Sequence, residues 1–174
     1  MTAPETMGSR LALTIQMKNF LIFVVAALAL GCQSDSRSNV SANDIQRLIR
    51  DLKQGDENTR AEAAEALGDL GTAGKKALPA LLMALGDEGE RIRQNALRAI
   101  IAIGPDEKAI QPLTNSLKDS DNEVRALSAN ALGQLGPLAR KSIPALREAI
   151  HDRDENVQKE AAEALRAISG TEKR

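Results

Sequence analysis

The stretch DENTRAEAAEALGDLG, Asp56 to Gly71, is alanine-rich, carries one arginine near its start and closes on glycine. It returns three times: EGERIRQNALRAIIAIG at 88–104, SDNEVRALSANALGQLG at 120–136 and DENVQKEAAEALRAISG at 154–170. Arg60, Arg93, Arg125 and Gln158 are equivalent, as are Leu67, Ile100, Leu132 and Leu165, at intervals of 33, 32 and 33 residues. The one-residue deletion falls between Gly104 and Leu113, in a loop, where length is cheap to change. A fixed period of this size marks a stacked repeat array.

Each unit reads as two helices. Ile45, Leu48, Ile49 and Leu52 follow the i, i+3, i+4, i+7 spacing of an amphipathic helix, and Leu78, Leu81, Leu82 and Leu85 repeat it. Leu113 and Leu146 take the place of Leu48 and Leu81 in the later units. Pro79, Pro112 and Pro144 sit near the starts of the later first helices, where a missing N–H does no harm. Ser41 and Asp44 suggest a capping box. The second helix of unit one presents Ala63, Ala66, Leu67 and Leu70 as its apolar face. Gly71, Gly104, Gly136 and Gly170 then stop the second helices as left-handed caps. One short helix pair cannot bury a core, so neighbours must stack. The expected fold is an all-α solenoid of four antiparallel helix pairs, at about 42–74, 75–106, 107–139 and 140–174.

The 174-residue chain has a formal net charge of -1, which excludes a general electrostatic attraction to nucleic acid. The only aromatic residues are Phe20 and Phe23, so the repeats must be packed by aliphatic side chains. The N-terminal stretch MKNFLIFVVAALALGC, Met17 to Cys32, has a basic start at Lys18 and an apolar run from Phe20 to Gly31. Spanning a bilayer takes about 20 apolar residues, so the run fits the central region of a secretion signal. Met17 is a cleaner start for that signal than Met1. Cys32 is the only cysteine, which excludes an internal disulfide. Residues 33–41 are polar and read as a flexible tether.

Two resemblances follow. Leu28-Ala29-Leu30-Gly31-Cys32 resembles the lipobox of bacterial lipoproteins, with Ala29 where leucine is commoner. That resemblance implies cleavage after residue 31, lipid on Cys32 and a membrane-anchored protein of the cell envelope. In a two-membrane bacterium, Gln33 rather than Asp at the next position implies the outer membrane, facing the periplasm. The repeats, best seen in LKDSDNEVRALSANALGQLG at 117–136, resemble the HEAT-repeat family in its short bacterial form, known from phycobilin-lyase subunits. The likeness covers about residues 42–170. It implies fold more than function.

The HEAT resemblance also suggests a role for the arginines. Members often carry Asp six residues before the Arg. Asp87 and Arg93, and Asp119 and Arg125, follow that pattern. Unit one has Gln54 in place of the Asp, and unit four has Asp152 but Gln158 in place of the Arg. If each Asp bonds the Arg of the preceding unit, the pairs are Arg60–Asp87, Arg93–Asp119 and Arg125–Asp152. Glutamine then stands at the two positions that would lack partners, where a buried unpaired charge would be costly. On this basis the array is expected to be complete at four units; two chance substitutions are the alternative. Thr114, Arg147 and Arg166, polar where earlier units are apolar or small, mark the last units as a cap.

No catalytic group of residues stands out, and the chain is expected not to be an enzyme. His151, the only histidine, lies in an inter-helix turn. The runs DEGER (87–91) and HDRDE (151–155) read as helix-capping and ladder acids rather than metal loops, since they lack the glycine and terminal glutamate of a calcium site. No metal and no cofactor beyond the lipid on Cys32 is expected, and no small-molecule substrate. In the HEAT family the second helices line the concave face. There the exposed positions would be Glu62, Glu65 and Asp69, then Asn95 and Arg98, then Asn130 and Gln134, then Glu163 and Arg166. This acidic-to-mixed face suits a basic or mixed-charge segment of another protein, or it is simply solvated. The expected function is thus a lipid-anchored interaction module. The alternatives are an enzyme subunit related to the phycobilin lyases and a passive structural lipoprotein.

Overall fold

The computed structural model describes residues 41–170. The expected signal segment at 1–31, Cys32 and the expected tether, apart from Ser41, lie outside the described residues. The described residues form eight α-helices and no strand. The first pair is α1 (Ala42–Gln54) and α2 (Glu57–Asp69), and the second is α3 (Leu78–Ala84) and α4 (Glu90–Ile103). The third is α5 (Ile110–Ser116) and α6 (Asn122–Gln134), and the fourth is α7 (Ile143–Ala149) and α8 (Glu155–Ser169). Each second helix packs on its own first helix, and the second helices pack on one another from unit to unit, α2 on α4, α4 on α6 and α6 on α8.

Local chemistry explains the boundaries. Ser41 and Asp44 form a reciprocal capping box at α1: the Asp44 N–H donates to Ser41 Oγ at 3.2 Å, and the Ser41 N–H to Asp44 Oδ2 at 3.1 Å. Asp56, Asp121 and Asp154 cap α2, α6 and α8 by accepting from Thr59, Val124 and Val157 N–H groups. Gly71 and Gly136 follow α2 and α6 with φ of 51° and 53°, a region costly to any residue with a Cβ. The chain does not then loop freely. Gly71–Ala77 and Gly136–Ser142 are seven-residue 3₁₀ turns that run directly into α3 and α7. Between the second and third units the 3₁₀ turn shrinks to Glu107–Ala109.

The core is aliphatic and continuous. Leu67, Leu81, Leu97, Ile100, Leu113, Leu132 and Leu146 are fully buried. Truncating one such leucine to alanine typically costs about 2–5 kcal/mol. The apolar face expected for α2 needs correction. Ala61, Ala63, Ala64 and Leu67 are buried, whereas Ala66 and Leu70 are only half-buried. The helix has two neighbours rather than one, so its buried surface is wider and turned towards α4. Leu165 is half-buried where its equivalents Leu67, Ile100 and Leu132 are fully enclosed, because no fifth unit is described beyond it.

Small residues set how closely second helices approach. A Cβ at Gly68 would lie 3.0 Å from the Ala99 Cα, and one at Gly133 would lie 3.1 Å from the Ala164 Cα. The first and last junctions are therefore backbone-to-backbone contacts. At the middle junction Ile101 holds the equivalent position, and α4 and α6 share a smaller contact.

Candidate functional site: an arginine ladder and the second-helix face

The repeating arginine makes two kinds of bond. Arg60 Nε and Nη2 donate to the Asp87 carboxylate at 2.9 and 3.0 Å. Arg93 reaches Asp119 at 2.9 Å through both nitrogens, and Arg125 reaches Asp152 at 2.8 Å through both. Each is a bidentate fork across a unit junction, the geometry in which a guanidinium binds a carboxylate best. The remaining nitrogen, Nη1, turns back to the arginine's own inter-helix turn. It donates to Gly55 O from Arg60, to Asp87 O and Glu88 O from Arg93, and to Asp119 O and Ser120 O from Arg125. One side chain thus fastens its own turn and the following unit.

The aspartates are equally occupied. Asp87, Asp119 and Asp152 each accept the backbone N–H two residues on, from Gly89, Asp121 and Asp154 at 2.9 Å. The Arg125 guanidinium holds the Asp152 carboxyl below the usual carboxylate range, against the opposing effect of burial. Burial pushes Asp87 upward, but the Arg60 guanidinium and the Gly89 N–H outweigh it and leave its carboxyl lowered. The rungs grow less exposed along the chain: the arginine side chains are 25%, 11% and 6% accessible at Arg60, Arg93 and Arg125. At Gln158 the forward fork is gone, but Nε2 still donates to Asp152 O at 2.6 Å. No buried side-chain nitrogen or oxygen among the described residues lacks a partner.

The second-helix face divides in two. Glu62, Glu65 and Asp69 on α2 are exposed, and among the described residues none of them forms an ion pair. Glu65 and Asp69 line a shallow depression of about 310 Å³ with Asn95 and Arg98, floored by Gly68, Ala99 and Ala102. The other sequence-derived positions are less free. Asn95 is buried and its Nδ2 donates to Ala61 O at 2.9 Å, so it ties α4 to α2. Arg98 donates to Asn95 Oδ1 and pairs with Glu123. Asn130 Nδ2 donates to Glu160 at 2.9 Å, and Gln134 donates to Asn130 Oδ1. Glu163 and Arg166 are exposed on α8. Glu160 and Leu127 share the repeat position of Glu62 and Asn95; repeat equivalence alone would have found them.

His151 is exposed in its turn, and no group of three or more His, Cys, Asp or Glu side chains suited to a metal occurs among the described residues. No helix among the described residues is long and apolar enough to cross a membrane. DEGER and HDRDE supply the ladder acids Asp87 and Asp152, and HDRDE also supplies the α8 cap Asp154.

Helix pairs stacked through their second helices and cross-linked by an Arg–Asp ladder define an α-solenoid. The HEAT-repeat family model matches residues 45–133 and 110–174, and the chain belongs to that family. Phycocyanobilin lyase subunit alpha of Picosynechococcus sp. is 35% identical over 111 residues, 59% of this chain and 40% of that protein. The chain therefore spans about two fifths of that relative's length. An engineered protein of known structure superposes with a TM-score of 0.63 at 25% identity, over 72% of this chain and 62% of that one. The complex of CpcE and CpcF of phycocyanin lyase from Nostoc sp. gives 0.57 at 24%, over 74% and 80%. A designed armadillo repeat protein in complex with the peptide (KR)4 gives 0.63 at 23%, over 72% and 64%. These last two establish fold alone.

The expectation that the chain is not an enzyme is corrected by this comparison. The relative at 35% identity is a lyase subunit, so these repeats accompany enzymatic activity in a related protein. Reading the absence of a catalytic triad or metal group as absence of enzymatic function was too strong, because a repeat array can serve an enzyme by binding rather than by supplying the reacting groups.

Proposed function

We propose that the chain is a lipid-anchored interaction module of the cell envelope that holds a segment of another protein along its second-helix face. The observation that carries the reading is the free acidic group on α2: Glu62, Glu65 and Asp69 are exposed and unpaired among the described residues, beside the depression shared with Arg98. Asn95, Arg98, Asn130 and Gln134 are satisfied within the protein, and Glu163 and Arg166 at the far end offset each other in charge, so the acidic end is where a partner's cations would gain most. Without aromatic side chains to serve as anchors, binding is polar and modest in strength. The fold has room for such a ligand, since the like-folded designed armadillo protein carries a (KR)4 peptide.

The anchor reading rests on Met17–Cys32: a basic start, a twelve-residue apolar run and a cysteine directly after it. Confinement at a membrane raises local concentration, which makes a weak contact effective. Gln33 after the cysteine fits sorting to the outer membrane, facing the periplasm, in a two-membrane bacterium.

A second reading is favoured by the relative at 35% identity: the module works as a subunit of a lyase-type enzyme and presents a protein substrate or companion subunit along the same face. Crosslinking in cells, affinity capture and mass spectrometry test both. A dominant partner lost when Glu62, Glu65 and Asp69 are changed to Lys supports the face. Capture of a pigment-bearing protein with the unaltered chain supports the second reading. A partner unaffected by the triple change overturns the placement.

A further inference from the structure

Because first and second helices alternate in direction, the solenoid has two long edges. Turns within units, between α1 and α2, α3 and α4, α5 and α6, and α7 and α8, lie along one edge. The start of α1 and all turns between units lie along the other. The two edges differ in charge. The within-unit edge holds the acid-rich turns at 56–57, 87–90, 119–123 and 152–155. The between-unit edge holds Lys75 and Lys76 in the first turn, Lys108 in the second, and Arg140 and Lys141 in the third, with Asp44 at the start of α1 and Asp69 at the end of α2 as its flanking acids.

These five cations are exposed, and none takes part in an ion pair among the described residues. Lys75, Lys108 and Arg140 are one repeat apart, so they form a row. The turns 71–77 and 136–142 contain no acid; the middle turn carries Asp106 and Glu107 beside Lys108 and is the weakest of the three. Leu138, 55% exposed, stands next to the Arg140–Lys141 pair. Cations beside an exposed apolar side chain are the composition of a surface that meets lipid headgroups.

We infer that this basic edge lies against an anionic lipid surface, with the helices standing away from it and the second-helix face left open at the side. The inference rests on the anchored reading above. Ser41, where the described chain begins, is on the basic edge, and Cys32 is nine residues earlier. Nine residues reach at most about 30 Å, so an anchored chain stays close to the bilayer, and the edge nearest its anchor is the cationic one. The negative potential of an anionic leaflet acts within a Debye length, about 8 Å at physiological salt. It attracts the lysine edge and repels the acidic one, and so sets the orientation.

The test is amine footprinting of the full chain, reconstituted into vesicles of neutral phosphatidylcholine or of the same lipid with anionic phosphatidylglycerol. Acetylation of Lys75, Lys76, Lys108 and Lys141 should fall about threefold or more on the anionic vesicles and recover in high salt. Lys53 and Lys118, on the acidic edge, should be labelled equally on both. In a variant with Lys75, Lys76, Arg140 and Lys141 all changed to Glu, Lys108 should lose its protection. Equal labelling of the basic edge on both vesicles, or equal protection of Lys53 and Lys118, overturns the inference. The mass of the Cys32 peptide from the same sample reports the anchor separately: unmodified Cys32 with a protected basic edge would sink the anchor and keep the edge.

Discussion

Arg125 and Gln158 stand at the same place in consecutive units, and they divide one task. Arg125 holds two carbonyls of its own turn and grips Asp152 of the next unit. Gln158 holds the carbonyl of its own turn and reaches no further. A glutamine amide is long enough to keep the backward bond and has no charge to leave behind. The difference shows that the ladder position serves two ends at once, turn closure and unit coupling, and that the second can be dropped without losing the first. The exchange is thus more specific than the removal of an unpartnered charge.

The larger effect is expected at Arg125. Changing Arg125 to Ala strips both jobs from an arginine that is 6% accessible and leaves the Asp152 carboxylate without its guanidinium partner. A loss of about 3 kcal/mol is expected, read by urea denaturation. The same change at Arg60, whose side chain is 25% accessible, should cost clearly less. Equal losses would mean that burial does not grade the rungs.

Acid offers a second way in. Since Arg125 depresses the folded carboxyl of Asp152, its coupling is fully present above the unfolded aspartate value of about 3.9 and is lost as pH falls through the lower, folded value. Stability should be level from about pH 7 to pH 5 and fall below about pH 4, less steeply in the Arg125→Ala protein. A variant with an unchanged acid slope would remove Asp152 from the account.

The smallest effect is expected at Gln158, in the last described unit. Gln158→Ala should cost about 1 kcal/mol, the worth of one hydrogen bond to a carbonyl. Gln158→Arg should keep that bond and add no stability, because no following aspartate is described to receive the fork. A clear gain from arginine there would show a carboxylate in reach.

The fold was legible because the chain states it four times. Leucine spacing, proline near helix starts and glycine at helix ends recur in register, so that chance in one unit is corrected by the others. The ladder was legible for a related reason, since the end units depart from the pattern at complementary positions. What escaped were features that depend on neighbours. Ala61 and Ala64 are buried because α2 meets α4, which a single helix wheel centred on Leu67 and Leu70 does not contain. The seven-residue 3₁₀ turns were hidden because Gly71 and Gly136 read as full stops, whereas the structure turns there and continues. On the candidate face, the positions were readable but their engagement was not. Asn95 is spent on Ala61 O and Asn130 on Glu160, which leaves Glu62, Glu65 and Asp69 open at one end and Glu163 and Arg166 at the other.

The uneven spacing of the second helices has a mechanical consequence. Gly68 against Ala99 and Gly133 against Ala164 lock the units into a front pair and a rear pair, while Ile101 keeps the middle junction from closing to the same depth. A pull between the two ends of the solenoid would therefore not stretch it evenly. It would behave as two stiff blocks on one spring, with the spring at the Arg93–Asp119 rung.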